Sequence, residues 1–321
     1  MESKSNKIKE KLLYGLFPAV PTIFNKGTEK LDLEANEKLA TFLSKQPIEG
    51  VAIWVHTGRG PFLEKDEKKE IAAIWKGHLK DGLIIGGVGA SSKPNKSEKD
   101  IIKEAIENAE FSLSCGIDAI LVFPPSPFKG SWKDILKYHE LIAEVGLPII
   151  LFYLYEEAGG ILYDLGLLDE LLNIEGVVGI KLATLYSITR LQDILKFLTL
   201  KHPDKIPITG EDRAFGYSIM RGAKSALIGL GTIMTDLQKD MMTSFFEKDY
   251  SKFVELALKV DDIAESIFVE PMEGYIIRLL YSLHLIGIIE EKNIFDPYGP
   301  SLTEEDKKRI SNVLKNLGVI K

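Results

Sequence analysis

Short apolar runs recur along the chain, and a stretch of helical periodicity separates most of them. The runs are Gly15–Phe24, Gly50–Val55, Leu83–Gly89, Asp118–Pro124, Leu147–Tyr153, Val177–Lys181, Lys205–Gly210 and Ser225–Leu230. They are apolar at nearly every position, as strands buried on both faces are. Between them, "DLEANEKLATFLSKQ", "EKDIIKEAIENAEFSLSCG" and "DILKYHELIAEVG" repeat apolar residues at three- and four-residue intervals. Most of these stretches close on a Gly or Pro boundary. Apolar strands each followed by an amphipathic helix predict a parallel sheet covered by helices. Eight such units predict an α/β fold, a closed (β/α)8 TIM barrel. An open doubly wound sheet is the rival. The number of units and the lack of a G-x-G-x-x-G turn after the first strand count against it.

The rhythm stops after the eighth run. From Asp236 onward the pattern is helical only, in "TSFFEKDYSKFVELALKVDDIAESIF", "MEGYIIRLLYSLHLIG" and "TEEDKKRISNVLKNLG". The expected organisation is a barrel domain over 12–235 and a C-terminal helical extension over 236–321, packed on the barrel or on another subunit. No low-complexity linker divides them.

Composition narrows the function class. The chain has 321 residues, of which 45% are hydrophobic and 27% charged, a soluble globular balance with ample length for a large core. A net charge of -7 with no basic stripe gives no support for nucleic-acid binding. Lys4, Lys7, Lys9 and Lys11 are interrupted by Glu2 and Glu10 and read as a solvated end. The single Cys115 excludes an intramolecular disulfide. With no signal-peptide core and no apolar run of membrane-spanning length, a cytoplasmic protein without a membrane partner is expected.

In this fold, chemistry sits at the C-terminal ends of the strands. The polar groups expected there are Thr22; His56, Thr57 and Arg59; Ser91 and Ser92; Tyr153, Tyr155, Glu156 and Glu157; Lys181; and Glu211, Asp212 and Arg213. Lys181, in "GVVGIKLAT", stands out because it ends an apolar run. One reading is a strand-end lysine whose amine snorkels to water. The other is a nucleophile whose pKa falls by desolvation, so that the neutral amine attacks a carbonyl. The five histidines show no metal-ligand spacing, and neither metal nor cofactor is expected. Glu156 and Glu157 suggest a carboxylate pair, but neighbours on a strand tend to point apart. "GGVGASS" lacks the G-K-[ST] of a phosphate loop and reads as close backbone packing.

Taken in order, the motifs resemble those of the dihydrodipicolinate synthase/N-acetylneuraminate lyase family of class I aldolases. "GLFPAVPTIF", "VHTGRGPFLEKDE", "GVGASS", "AIENAEFSLSCGIDAILVFPP", "GLPIILFY", "GIKLAT", "GEDRAFGYSIMRGAKSALIGLGTIM" and "DPYGPSLTEED" follow in family order from about Leu16 to about Glu305. The resemblance implies a homodimer or homotetramer whose lysine forms an imine with pyruvate or another 2-oxo acid. It makes Lys181 the imine lysine. Thr57 is the second threonine of the family's G-T-T-G-E motif, where it seats the substrate carboxylate. His56 replaces the first threonine and Arg59 the glutamate, so Arg59 is an expected anion contact if it points inward. Gly210 and Leu227 complete the implied substrate-binding set. The family's proton-shuttling tyrosine ends strand five. Counting forward from Pro148 gives Phe152, whereas counting back from Lys181 gives Tyr153. Only one of the two can face the site. The chemistry needs a hydroxyl, which favours Tyr153. The arginine that follows that tyrosine in the family is Glu157 or Ala158 here. The tyrosine pair after strand four is replaced by Pro125 and Ser126. These changes argue against authentic dihydrodipicolinate synthase activity.

The leading expectation is a Schiff-base lyase or aldolase acting on a 2-oxo acid. A keto-deoxy sugar acid dehydratase would use the same imine. A barrel that only binds a 2-oxo acid or a partner, and a glycosidase using Glu156 or Glu157 with Asp212, are the readings from other classes.

Overall fold

The computed structural model of the chain describes residues 2–90 and 96–321. Ser91 and Ser92 lie outside the described residues. Among the described residues, eight parallel strands form one sheet: β1 (Leu16–Pro18), β2 (Gly50–Ile53), β3 (Leu83–Val88), β4 (Ala119–Val122), β5 (Ile149–Leu154), β6 (Val177–Ala183), β7 (Ile206–Thr209) and β8 (Ser225–Ile228). β1 pairs with β8, and a parallel bridge from Ala19 to Ala52 joins it to β2. The sheet thus closes into the expected (β/α)8 barrel. The first run pairs over only a few residues because Pro18 and Pro21 carry no amide hydrogen for a ladder. Beyond them the chain turns back in a short antiparallel ladder, Phe24–Asn25 against Lys30–Leu31.

Strand alternation divides the core into two layers. Along β5, Ile149, Leu151 and Tyr153 pack outward among the helices. Ile150, Phe152 and Leu154 point into the barrel. This is the two-residue period of a strand buried on both faces.

β6 breaks that period once. Ile149 pairs with Val177, but Ile150 pairs with Gly179, so Val178 is an extra residue in β6. Val177, Ile180 and Leu182 lie in the outer layer, whereas Val178 and Ala183 lie in the inner one. A bulge of this kind shifts the alternation by one residue. Strict alternation from Val178 would have turned Ile180 inward and Lys181 outward. Gly179 is required at the bulge, because a Cβ there would lie 2.4 Å from the Ile206 carbonyl oxygen on β7. The strand also runs on past Lys181 to Ala183, two residues beyond the expected end.

The N-terminus is more than a solvated end. Glu2–Leu12 forms a helix. Its lysines face outward, but Ile8 and Leu12 are buried in the inner cluster with Leu83, Val178 and Ile206. The helix therefore plugs the N-terminal mouth of the barrel.

After β8 the described chain is helical, with Thr235–Phe246, Tyr250–Ile267, Tyr275–Leu285 and Glu304–Asn316 as its main helices. The expected division at 235 and 236 falls in the first turn of Thr235–Phe246. That helix follows β8 and packs both on Phe215–Met220 and, more extensively, on Tyr250–Ile267 of the extension. Buried Arg278 anchors the extension internally. Its Nε donates to Asp306 at 2.8 Å, and its Nη1 donates to the carbonyls of Ile267 and Val269. Among the described residues no helix is long and apolar enough to cross a membrane.

Candidate active site

Lys181 is the inward residue of β6 at the C-terminal end of the barrel. Its residue is 7% exposed, and it lines a cavity of roughly 360 Å³. Phe152 sits opposite it in the ladder, and the Lys181 Nζ lies 4.5 Å from the centre of the Phe152 ring. Gly210 on the neighbouring strand end makes room for the lysine, since a Cβ there would lie 2.6 Å from Lys181 Cε. Desolvation brings the Lys181 pKa down to about 8, against the opposing pull of Asp212 and Glu211. A substantial fraction of the amine is therefore neutral near pH 8, and the snorkelling reading does not fit a side chain held inside the barrel.

The loop after β7 brings two carboxyl groups to the same cavity. Glu211 is buried and accepts from the Thr184 hydroxyl at 2.9 Å. Asp212, half-buried, accepts from the Leu230 N–H at 2.7 Å. Burial pushes both carboxyls up, Glu211 to about 6 and Asp212 to about 7. One lysine lowered and two carboxyls raised by burial thus line a single cavity. Arg213, the next residue, also lines the cavity at its exposed rim and donates to Glu265 at 3.1 Å.

The loop after β2 supplies His56 and Thr57. Its backbone is tight. Trp54 is left-handed at φ 58°, and a Cβ at Gly60 would lie 1.6 Å from the Trp54 carbonyl oxygen. Such non-glycine backbones concentrate at functional sites. Thr22 does not line the cavity but donates its hydroxyl to the Gly58 carbonyl at 2.7 Å, holding this loop. The Thr57 Oγ1 lies 3.0 Å from the hydroxyl of Tyr275. His56 Nε2 lies 3.0 Å from Glu273 Oε1. Glu273 is drawn down to about 2 by this His56 contact and by Arg59.

The expectation for Tyr153 does not hold. Its side chain is fully buried in the outer layer, edge-on to Tyr163 with ring centres 6.1 Å apart. Its hydroxyl has no hydrogen-bond partner among the described residues. Phe152 takes the inward position, and it has no proton to move. The two sequence counts differ by one residue, and the ladder places Phe152, not Tyr153, opposite Lys181. Tyr155 does line the cavity.

Two expected binding residues also differ. Arg59 does not line the Lys181 cavity but an adjoining one. Its Nη2 donates to Asp296 at 2.6 Å, its Nε to both Asp296 oxygens, and its Nη1 to Glu273 at 3.0 Å. The guanidinium is thus engaged by carboxylates of the extension, locking it to the β2 loop rather than standing open to an anion. Leu227 is fully buried in the inner cluster, paired with Phe17 one layer below the cavity. Gly229, two residues on, lines the cavity instead. The Glu156 and Glu157 pair is also outside. Both are exposed, Glu156 pairs with Lys129 at 2.7 Å, and neither lines the Lys181 cavity. Sequence reading missed Tyr275, Phe268 and Met272, which reach the cavity from the extension. "MEGYIIRLLYSLHLIG" carries helical periodicity but no local sign of the strand ends it meets.

The C-terminal mouth of the eight-stranded barrel thus holds a desolvated lysine in one cavity with two carboxyls. The sequence matches the Dihydrodipicolinate synthetase family over residues 12–317, and the chain belongs to that family. A 4-hydroxy-tetrahydrodipicolinate synthase from Campylobacter curvus (strain 525.92) is 27% identical over 308 residues, 95% of this chain and 97% of the relative. The solved N-acetylneuraminate lyase from Mycoplasma synoviae has a TM-score of 0.75 at 21% identity, covering 95% of this chain and 98% of its own. A prophage protein of the dihydrodipicolinic acid synthase family from E. coli K12, solved in complex with pyruvate, has a TM-score of 0.83 at 21% identity. It covers 95% of this chain and 98% of its own. At these identities the two structural likenesses speak for the fold.

Proposed function

We propose that the protein is a Schiff-base lyase or aldolase in which Lys181 forms an imine with pyruvate or a related 2-oxo acid. The observation that carries this reading is the amine itself, buried in a cavity and brought down to about 8 by desolvation. A neutral amine adds to the keto carbon, and loss of water leaves an iminium that acts as an electron sink for the adjacent carbon–carbon bond. The substrate carboxylate is assigned to Thr57, which lines the cavity beside His56. Ala158 lines the cavity in the segment where the family's arginine is expected, Glu211 and Asp212 stand in its wall, and the Arg213 guanidinium at its rim is paired with Glu265. These features support an uncharged aldehyde as the second substrate, rather than one bearing a carboxylate.

The test is chemical trapping. The protein is incubated with pyruvate and a panel of 2-oxo acids, reduced with borohydride and mapped by peptide mass. A stable adduct on Lys181 is expected, and no adduct with any 2-oxo acid would sink the reading.

A further inference from the structure

We propose that Tyr275, contributed by the C-terminal extension, is the phenolic proton carrier of the Lys181 site. The proposal rests on the imine reading above. An imine site needs a group that protonates the departing oxygen and takes a proton from carbon. Opposite Lys181, β5 offers Phe152, and the Tyr153 hydroxyl lies on the other face of the strand. Tyr275 begins the helix Tyr275–Leu285, yet its side chain lines the same cavity as Lys181 and Thr57.

Three observations make Tyr275 a built part of the site. Its hydroxyl lies 3.0 Å from Thr57 Oγ1, a pair in which either oxygen can donate, as a relay requires. Its ring stacks with those of Phe268, at 5.1 Å, and His56, at 6.5 Å. The turn before it is fixed from behind by Arg278, whose Nη2 would lie 2.9 Å from a Cβ at Gly274. Burial raises the phenol well above its usual pKa, so Tyr275 rests protonated, as a donor must.

The steps balance without an outside oxidant or reductant. The Lys181 nitrogen bonds to the keto carbon, and the carbonyl electron pair moves to oxygen. One proton passes from nitrogen to that oxygen through the Thr57–Tyr275 pair, giving the carbinolamine. Tyr275 then gives its proton to the hydroxyl, the carbon–oxygen bond breaks, and water leaves the iminium. The resulting phenolate takes a proton from the neighbouring carbon to give the enamine, which restores Tyr275. The sum is amine plus 2-oxo acid to enamine plus water.

Exchange of the pyruvate methyl hydrogens in deuterated water reports enamine formation and needs no knowledge of the second substrate. It is followed by NMR beside borohydride trapping in the unaltered protein, Tyr275→Phe, Thr57→Val, their double variant, Tyr155→Phe and Tyr153→Phe. Loss of a general acid/base predicts that Tyr275→Phe still traps pyruvate on Lys181 but exchanges about 10²–10⁴-fold more slowly. Thr57→Val should fall similarly, and the double variant should be no worse than the more impaired single one, as expected for residues acting as a unit. Because Thr57 also seats the carboxylate, exchange is compared at saturating pyruvate, where Thr57→Val breaks the same pair from the barrel side should Tyr275→Phe fold poorly. Unaltered exchange in either variant, with the Lys181 adduct intact, overturns the role of Tyr275. So does a large loss in Tyr155→Phe with Tyr275→Phe unaffected. The absence of any adduct in the unaltered protein overturns the imine reading itself, and the Tyr275 role with it.

Discussion

β5 and β6 run side by side, are equally buried, and both carry a chemically capable residue near the C-terminal end. One delivers its residue to the cavity and the other turns it away. In β6 the extra Val178 re-aims Lys181 into the barrel. In β5 the alternation is unbroken, so Phe152 faces in and the Tyr153 hydroxyl faces the helices. The difference teaches that nearness to a strand end does not make a site residue. The parity of the strand does, and a single bulge reverses it.

Removing the inward residue of β6 has the largest expected effect. Lys181→Ala should abolish the borohydride-trapped adduct while leaving the fold intact, because it relieves the buried amine's desolvation. An adduct on a different lysine in that variant would break the comparison. The bulge comes next. Gly179→Ala forces a Cβ against the Ile206 carbonyl, and overpacking of this kind should cost about 1–3 kcal/mol in urea unfolding. It should also slow trapping, since the strain falls two residues before Lys181. Wild-type stability in Gly179→Ala would show that β6 accommodates the bulge in some other way.

A smaller effect follows from the charge around the amine. The protonated amine cannot attack, so trapping should rise about tenfold per pH unit below the Lys181 pKa and level off above about 8. Asp212 favours the ammonium form. Asp212→Asn should therefore lower the midpoint, by about one unit, as expected when a nearby opposite charge is lost. A midpoint that stays put or rises would count against the placement of that carboxyl. The smallest effect belongs to β5. Tyr153→Phe removes a buried hydroxyl that has no partner among the described residues. Stability should change by less than about 1 kcal/mol in thermal melts, and trapping should be unchanged. A large loss of trapping would return Tyr153 to the site.

Much of the architecture is legible from local pattern. The apolar runs mark the eight strands because a strand buried on both faces must be apolar at almost every position. The helical extension is legible from its three- and four-residue spacing. Lys181 is legible because a charged residue closing such a run is costly wherever it points. The site is less so. Arg59 looks like an anion contact until Asp296, far along the chain, is seen to hold it. The lysine-rich N-terminus looks solvated until Ile8 and Leu12 are seen to have the barrel mouth as their partner. Neither pairing leaves a periodic trace.

By itself, then, the sequence determined the closed barrel, the helical extension and the lysine on the sixth strand, since each follows from burial and spacing within one segment. Only the tertiary structure decided which face of β5 meets Lys181, that Arg59 is a tie rather than a ligand, and that Tyr275 meets Thr57. The physical reason is common to all three. Strand parity depends on how a neighbouring strand is paired, and a contact between distant segments depends on how the helices dock. Neither quantity is contained in the local order of apolar and polar residues.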